Sequence, residues 1–388
     1  MDSNISSKLF GEDTINICVL GGGNIGTLLI GYLGQNSGVN VSLYTSRTDK
    51  WSDKIDVYDS SDNLKYTSIL KNVSSDPKEV ISNADIIIST LPSQVFPVVL
   101  KSIEDYIREG TWIGVMPGSG GVEFYCKELI EKKECVLFGF QRVHGISRIK
   151  EYGHSVYDLG KKKELFIAAW PSSEVEKICC LMESLLKIKC TMLPNYLSVT
   201  FTPSNPILHT TRLYAMFKDY EEGVYWDRNI QFYSEWNNEA SEMLLACDEE
   251  LQNICNAIEG LDLKDVLSLK EYYESDSIEK MTNKIRSIEA FKGIESPMIE
   301  VDGKFIPDFK SRYFLEDYPY GLCIIKGFGD VVGIKTPSID KVLAWYEKVS
   351  NVEYYVNGKF IGKDLKDLPM PKNYGLNSVE DIVRYYSK

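Results

Sequence analysis

A glycine loop between two regular segments constrains this chain most. Ile15 to Leu20 is a short apolar run rich in β-branched residues. It is followed by Gly21-Gly22-Gly23-Asn24-Ile25-Gly26, and an apolar helical stretch then runs to about Leu33. Gly21, Gly23 and Gly26 match GxGxxG in the context the motif requires, after a strand and at the opening of a helix. The first glycine permits a tight turn, the second lets backbone approach a pyrophosphate, and the third allows close strand–helix packing. The helix start at Asn24 and Ile25 offers N–H groups and positive dipole charge to phosphates. Gly21, Gly23, Asn24, Ile25 and Gly26 are therefore expected to bind a dinucleotide. The alternative is a glycine-rich turn with no ligand.

The second strand, Val39 to Tyr44, ends in Thr45-Ser46-Arg47-Thr48, with no carboxylate before Asp49. A fold that prefers NAD places Asp or Glu there for the ribose hydroxyls. Ser46 and Arg47 instead suit a 2′-phosphate, which a guanidinium binds through two parallel charge-assisted bonds. NADP is expected over NAD, the alternative being that Arg47 is a solvated surface residue. Further strands are read at Ala84 to Leu91, Thr111 to Met116, Cys135 to Phe140 and Leu165 to Ala169, with helical segments at Val95 to Ile107 and Val122 to Ile130. Alternation of this kind means βαβ units and a parallel sheet. Leu91 and Pro92 close a strand at the carboxyl edge of that sheet, where ligands bind, and are expected beside the nicotinamide ribose. A plain strand-to-helix turn is the other reading. Ser173 and Glu176 read as a capping box before a helix.

Beyond about residue 195 the pattern becomes helical. Trp236 to Ile258 repeats apolar residues on one face, Ile278 to Ile288 gives a second helix, and Thr336-Pro337 starts a third. Asp302-Gly303 and Asn357-Gly358 signal small hairpins. The expected fold is α/β: a Rossmann-type dinucleotide-binding domain over 1–195, followed by a mainly α-helical substrate domain over 196–388. The boundary is placed near Pro194 to Pro203.

Composition excludes several functions. Forty-three basic against 56 acidic residues give a net charge of −13, which argues against nucleic-acid binding. No apolar run approaches the roughly 18–20 residues of a membrane span, and Met1 to Gly11 carries no signal-peptide core. A cytoplasmic protein is expected. The nine cysteines, Cys179, Cys180, Cys247 and Cys255 among them, have no zinc spacing and read as reduced core residues. No metal site is expected, and a homodimer is allowed.

Three segments then decide the chemistry: Asn205-Pro206-Ile207-Leu208-His209, Arg312-Tyr313-Phe314-Leu315-Glu316-Asp317-Tyr318-Pro319-Tyr320-Gly321, and Gly333-Ile334-Lys335-Thr336-Pro337. A fainter match is Gln141 with Arg148. In these segments, and over nearly the whole chain, the sequence resembles the octopine/nopaline (opine) dehydrogenase family. The resemblance implies an NAD(P)-dependent enzyme that condenses an amino acid with a 2-keto acid and reduces the resulting imine by hydride transfer. It implies a catalytic pair at His209 and Asp317, a carboxylate-binding arginine at Arg312 and a substrate-contacting glutamine at Gln141. Around Gln141 the chain departs from the pattern, reading GFQRVHGISR without the proline and aromatic expected there.

The residues themselves are compatible with these roles. Histidine moves protons near neutral pH, and a carboxylate on its other nitrogen fixes the tautomer. A buried structural histidine is the alternative for His209. An ion pair with Glu316, Asp317 or Asp308 is the alternative for Arg312. His144 and His154 read as surface or loop residues. Two other functions stay open: a simple 2-keto acid reductase resembling ketopantoate reductases, and a nucleotide sensor without catalysis.

Overall fold

The computed structural model describes residues 14–388. Met1 to Gly11, read above for the lack of a signal-peptide core, lies outside the described residues. The chain divides into two units. The first holds residues up to Thr200 together with Tyr386–Lys388, and the second is Phe201–Tyr385. The last three residues thus return to the first unit instead of closing the second.

In the first unit, β1 (Ile15–Leu20), α1 (Asn24–Leu33) and β2 (Val39–Tyr44) form the opening βαβ. Three further strands follow: β3 (Lys54–Tyr58), β4 (Leu64–Ile69) and β5 (Asn72–Ser74). β6 (Ile86–Ser89), α2 (Phe96–Ile103), β7 (Trp112–Val115), α3 (Val122–Lys133) and β8 (Val136–Phe140) come next. A hairpin of β9 (Gly145–Glu151) and β10 (Ser155–Lys161) precedes β11 (Glu164–Trp170), α4 (Val175–Leu186) and β12 (Lys189–Met192).

The main sheet has the order β12-β11-β8-β7-β6-β1-β2-β5. Its pairs are parallel except β8–β11. β6, β7 and β8 are buried along their whole length, as strands covered on both faces must be. That explains why their sequences are continuous apolar runs. Ile17, Val19, Leu28, Leu29, Ile86, Ile88, Phe138 and Ile167 belong to the resulting core. The strand order reverses beside β1, where β2 lies on one side and β6 on the other. Ligands of open α/β sheets bind at such a switch point.

A second sheet, β4-β3-β10-β9, was not expected. β3 pairs in parallel with β10, Asp56 opposite Ser155, across about a hundred residues of sequence. The capping box at Ser173 and Glu176 does not form. Ser172–Glu174 is a 3₁₀ turn, and Glu174 at the start of α4 makes no side-chain cap.

The second unit carries α5 (Pro206–Phe217), α6 (Asn238–Ala257), α7 (Ile278–Ser287), α8 (Arg312–Leu315), α9 (Cys323–Val332), α10 (Pro337–Ser350) and α11, which begins at Val379. α6 is capped by the Asn237 side chain, which accepts from the Ala240 N–H. Its buried face includes Ala240, Leu244, Cys247, Leu251 and Ile254, spaced as a core-facing stripe should be. The hairpins β13 (Met298–Val301)/β14 (Lys304–Pro307) and β15 (Tyr355–Val356)/β16 (Lys359–Phe360) turn at the two dipeptides read from sequence. In both turns the central residues have positive φ, at Asp302, Gly303, Asn357 and Gly358, as type I′ turns demand.

Candidate active site

The glycine loop is built to admit a dinucleotide. Gly21 has φ +99°, which a side chain rarely adopts. A Cβ on Gly26 would lie 1.9 Å from the Gly21 carbonyl oxygen, so α1 crosses β1 closer than any other residue allows. A Cβ on Gly23 would meet nothing within 4 Å, leaving open space where a phosphate can approach the backbone. Gly23 begins α1 without a side-chain cap, so the first-turn N–H groups at Asn24 and Ile25 are left for a ligand. The loop is braced from outside itself. The Ile149 N–H donates to Asn24 Oδ1 at 2.7 Å. Thr90 Oγ1 donates to the Gly21 carbonyl at 3.2 Å, and a Cβ on Gly21 would meet the Leu91 side chain at 3.0 Å. Pro92 accepts from the Val95 and Phe96 N–H groups, as part of the turn into α2.

Ser46 and Arg47 are exposed after β2. The Arg47 guanidinium carbon stands 5.8 Å from the centroid of the Tyr152 ring. Tyr152 meets Trp51 edge-on at 5.7 Å, and Trp51 covers Gly22 closely. Tyr152 sits in the β9–β10 turn, so the unexpected second sheet supplies part of the wall beside Arg47.

His144 lies in the loop before β9, as one of its two readings had it, but is fully buried. Its Nε2 is 3.1 Å from the Ile25 carbonyl, and burial pushes the imidazole down to about 4, which keeps it neutral as that donor. His144 thus supports the start of α1. His154 is exposed. Gln141 is buried, and its amide nitrogen donates to the Ser198 carbonyl at 3.0 Å. That bond ties the end of β8 to the segment before the second unit. Cys180 is exposed, contrary to its reading as a core residue, and the nine cysteines form no disulfide. Among the described residues no group of three or more His, Cys, Asp or Glu side chains could hold a metal. No helix there is long and apolar enough to cross a membrane.

The second unit brings His209 and Asp317 together across 108 residues. His209 lies in the first turns of α5, started by Pro206 at N1. Asp317 precedes a π-helical turn over Tyr318–Leu322, whose wider winding is frequent at functional sites. Tyr318 donates to the Thr210 carbonyl at 3.0 Å, which pins that turn to α5. His209 Nδ1 is 2.8 Å from Asp317 Oδ2, and both side chains are nearly buried. The carboxylate accepts the Nδ1 proton, so Nε2 carries the lone pair. The hydroxyl of Tyr233 lies 2.9 Å from that Nε2. Sequence reasoning missed Tyr233, which sits in a loop with no periodic signal. The rings of Phe232 and Tyr313 surround the imidazole at 5.7 and 4.8 Å.

Arg312 is next to Tyr313 on α8. Its Nε is 3.3 Å from Glu316 Oε2, and its side chain is 65% exposed. The ion pair foreseen as the alternative therefore exists, but as an i,i+4 contact made by an exposed guanidinium it is worth only about 0.3–0.5 kcal/mol. It leaves most of the guanidinium fork open to a carboxylate.

Comparison with known proteins agrees with this layout. Residues 16–130 match the model of the NAD-dependent glycerol-3-phosphate dehydrogenase N-terminus. Residues 192–350, which hold His209, Tyr233 and Asp317, match that of the NAD/NADP octopine/nopaline dehydrogenase alpha-helical domain. Over nearly its whole length the chain is similar to opine dehydrogenases. Opine dehydrogenases similar to it include tauropine dehydrogenase of Arabella iricolor, 27% identical over 95% of this chain and 99% of the relative. Octopine dehydrogenase of Pecten maximus is likewise 27% identical, over 95% and 99%. An octopine dehydrogenase structure in complex with NADH and agmatine superposes with a TM-score of 0.83 at 26% identity, covering 95% of this chain and 98% of that one. A 2-dehydropantoate 2-reductase of Geobacter metallireducens, at 13% identity and a TM-score of 0.61 over 86% and 100%, shares the fold. The chain is an opine dehydrogenase-like, NAD(P)-dependent oxidoreductase acting on CH–NH donors.

Proposed function

We propose that this protein catalyses the reductive condensation of an amino acid with a 2-keto acid, using NADPH in preference to NADH. The observation that carries the reading is the His209–Asp317 pair, held at 2.8 Å in an aromatic pocket within the segment that matches the opine dehydrogenase helical domain. The bound cofactor supplies a hydride to the imine carbon. This chain supplies the rest. The glycine loop and the start of α1 seat the pyrophosphate. Arg312 holds the keto-acid carboxylate through its fork. His209 moves the protons that imine formation requires, while Asp317 fixes its tautomer and stabilises the imidazolium. Tyr313 and Phe232 keep water away from the imine. Gln141, committed to the Ser198 carbonyl, serves the substrate by shaping the end of β8.

Preference for NADPH rests on the missing carboxylate after β2 and on Arg47, which forms no ion pair among the described residues and stands over Tyr152. The reading extends to a cytoplasmic location, supported by nine cysteines that are all free, seven of them buried. Seven is the count of Cys18, Cys126, Cys135, Cys179, Cys247, Cys255 and Cys323. A matrix of amino acids against 2-keto acids, with cofactor oxidation followed by absorbance, tests the function. Oxidation is expected only where both substrates are present. Oxidation by keto acid alone would favour a simple reductase, and NADPH binding without turnover would favour a sensor.

A further inference from the structure

Both nitrogens of the His209 ring are occupied in the protein itself, Nδ1 by Asp317 at 2.8 Å and Nε2 by the Tyr233 hydroxyl at 2.9 Å. A substrate can exchange a proton with His209 only by displacing Tyr233 or by passing the proton through it. Displacement is opposed on every side. The Tyr233 ring stacks on Phe291 at 4.1 Å and 18°, and lies parallel to Trp236 at 6.4 Å and 6°. Its loop is strapped by the buried Arg212, one turn beyond His209 on α5. The Arg212 guanidinium donates to the Phe232 carbonyl at 2.8 Å and to the Glu235 carbonyl at 2.9 Å. Arg286 donates to the Trp236 carbonyl at 2.6 Å. A phenol held in this way can rotate its O–H bond but cannot swing its oxygen away.

We propose that the Tyr233 hydroxyl is the proton conduit between His209 and the reacting amine and carbonyl. This rests on the opine-forming reading above and adds a residue to it. The amino acid arrives as an ammonium ion and must lose a proton before its nitrogen can attack. That proton passes to the Tyr233 oxygen while the Tyr233 proton passes to His209 Nε2, giving an imidazolium paired with Asp317. The amine adds to the keto carbon, the C–N bond forming as the carbonyl π bond breaks, and one proton moves from the nitrogen to the oxygen to give a carbinolamine. The relay then runs in reverse: Nε2 returns its proton to Tyr233, and Tyr233 protonates the carbinolamine hydroxyl. The C–O bond breaks and water leaves. The iminium ion that remains accepts the hydride, and the borrowed proton has been returned. Burial pushes the phenol well above its ordinary range, so the hydroxyl hands protons on without resting as a phenolate.

Tyr233→Phe removes the oxygen and keeps the stacked ring. With a productive amine and keto-acid pair, its kcat is expected to fall about 10²-fold, while the affinity for NADPH and the KM for the keto acid stay within about twofold. In mixtures of light and heavy water, the wild-type rate should fall along a curve, because two protons move together, and the variant's rate along a straight line. A variant kcat within about twofold of wild type overturns the relay. A straight-line dependence for the wild type overturns it as well, and that measurement does not need the variant to fold. A wild type that turns over no amine and keto-acid pair overturns the functional reading and the relay with it. Turnover by the wild type that Tyr233→Phe leaves intact overturns the relay alone.

Discussion

His209 and Asp317 stand 108 residues apart in sequence and 2.8 Å apart in space, with the carboxylate accepting the imidazole Nδ1 proton. Asp317 therefore dictates which nitrogen of His209 carries a lone pair. His209→Asn is expected to lower kcat by about 10²–10⁴-fold, and Asp317→Asn to lose much of the same activity by admitting the wrong tautomer. Cofactor binding should survive both changes, since the glycine loop lies in the other unit. Steady-state kinetics with parallel NADPH titration checks this.

Cofactor choice turns on Arg47. Wild-type kcat/KM should be higher with NADPH than with NADH, and Arg47→Asp should reverse or abolish the preference by repelling a 2′-phosphate. The comparison of kcat/KM for the two cofactors reads this directly. Equal use of both by the wild type would remove the basis for assigning NADP.

The glycine loop tolerates no side chain at its third glycine. A Cβ at Gly26 would press on the Gly21 carbonyl oxygen at 1.9 Å, a backbone contact that no rotamer change can relieve. Gly26→Ala should destabilise the first unit by about 1–3 kcal/mol and weaken NADPH binding. Thermal unfolding with and without cofactor measures both effects.

Much of this design is local and could be read in the chain. The strand, glycine turn and helix from Ile15 to Leu33 are contiguous, and so are the two hairpin turns. The second sheet was not legible, because KIDVY and LKYTSI are short and half-exposed, and β3 finds its partner β10 about a hundred residues away. Tyr233 stayed hidden for a related reason. Its role comes from a loop strapped by Arg212 and from a histidine 24 residues earlier, and no spacing rule encodes that contact. His144 does lie in a loop, but its burial was not legible, because a lone histidine outside any periodic segment carries no burial signal. Only the fold shows that it supports the start of α1.

Carboxylate recognition should fail selectively when the Arg312 fork is lost. Arg312→Lys keeps the charge, so the apparent KM for the keto acid should rise about 10-fold or more, the loss of a charge-assisted hydrogen bond of about 1.5–3 kcal/mol. Nucleotide affinity should not change. An unaltered KM would assign Arg312 to its Glu316 ion pair alone.

Glu123 at the start of α3 predicts a pH dependence of stability. Its carboxylate accepts from Thr200 Oγ1 at 2.6 Å and from the Tyr386 hydroxyl at 2.7 Å, and burial pushes it up to about 7 from an ordinary 4.5. The folded protein thus holds this proton more tightly than the unfolded chain. Its contribution is fully present below about pH 4.5 and is lost as pH rises through about 7, for a change of about 3 kcal/mol. Glu123→Gln keeps an acceptor for both partners and removes the titration. The difference in Tm between about pH 5 and about pH 8 should therefore shrink in the variant.

The most direct test of the central claim follows the hydride into the product. The protein is incubated with NADPH deuterated at the transferable position of the nicotinamide, together with pyruvate and a panel of amino acids. The account predicts a secondary amine whose mass is the sum of both substrates, less water, plus one hydrogen and one deuterium, with the deuterium on the former keto carbon. Deuterium recovered in a hydroxy acid, formed whether or not the amino acid is present, would contradict it.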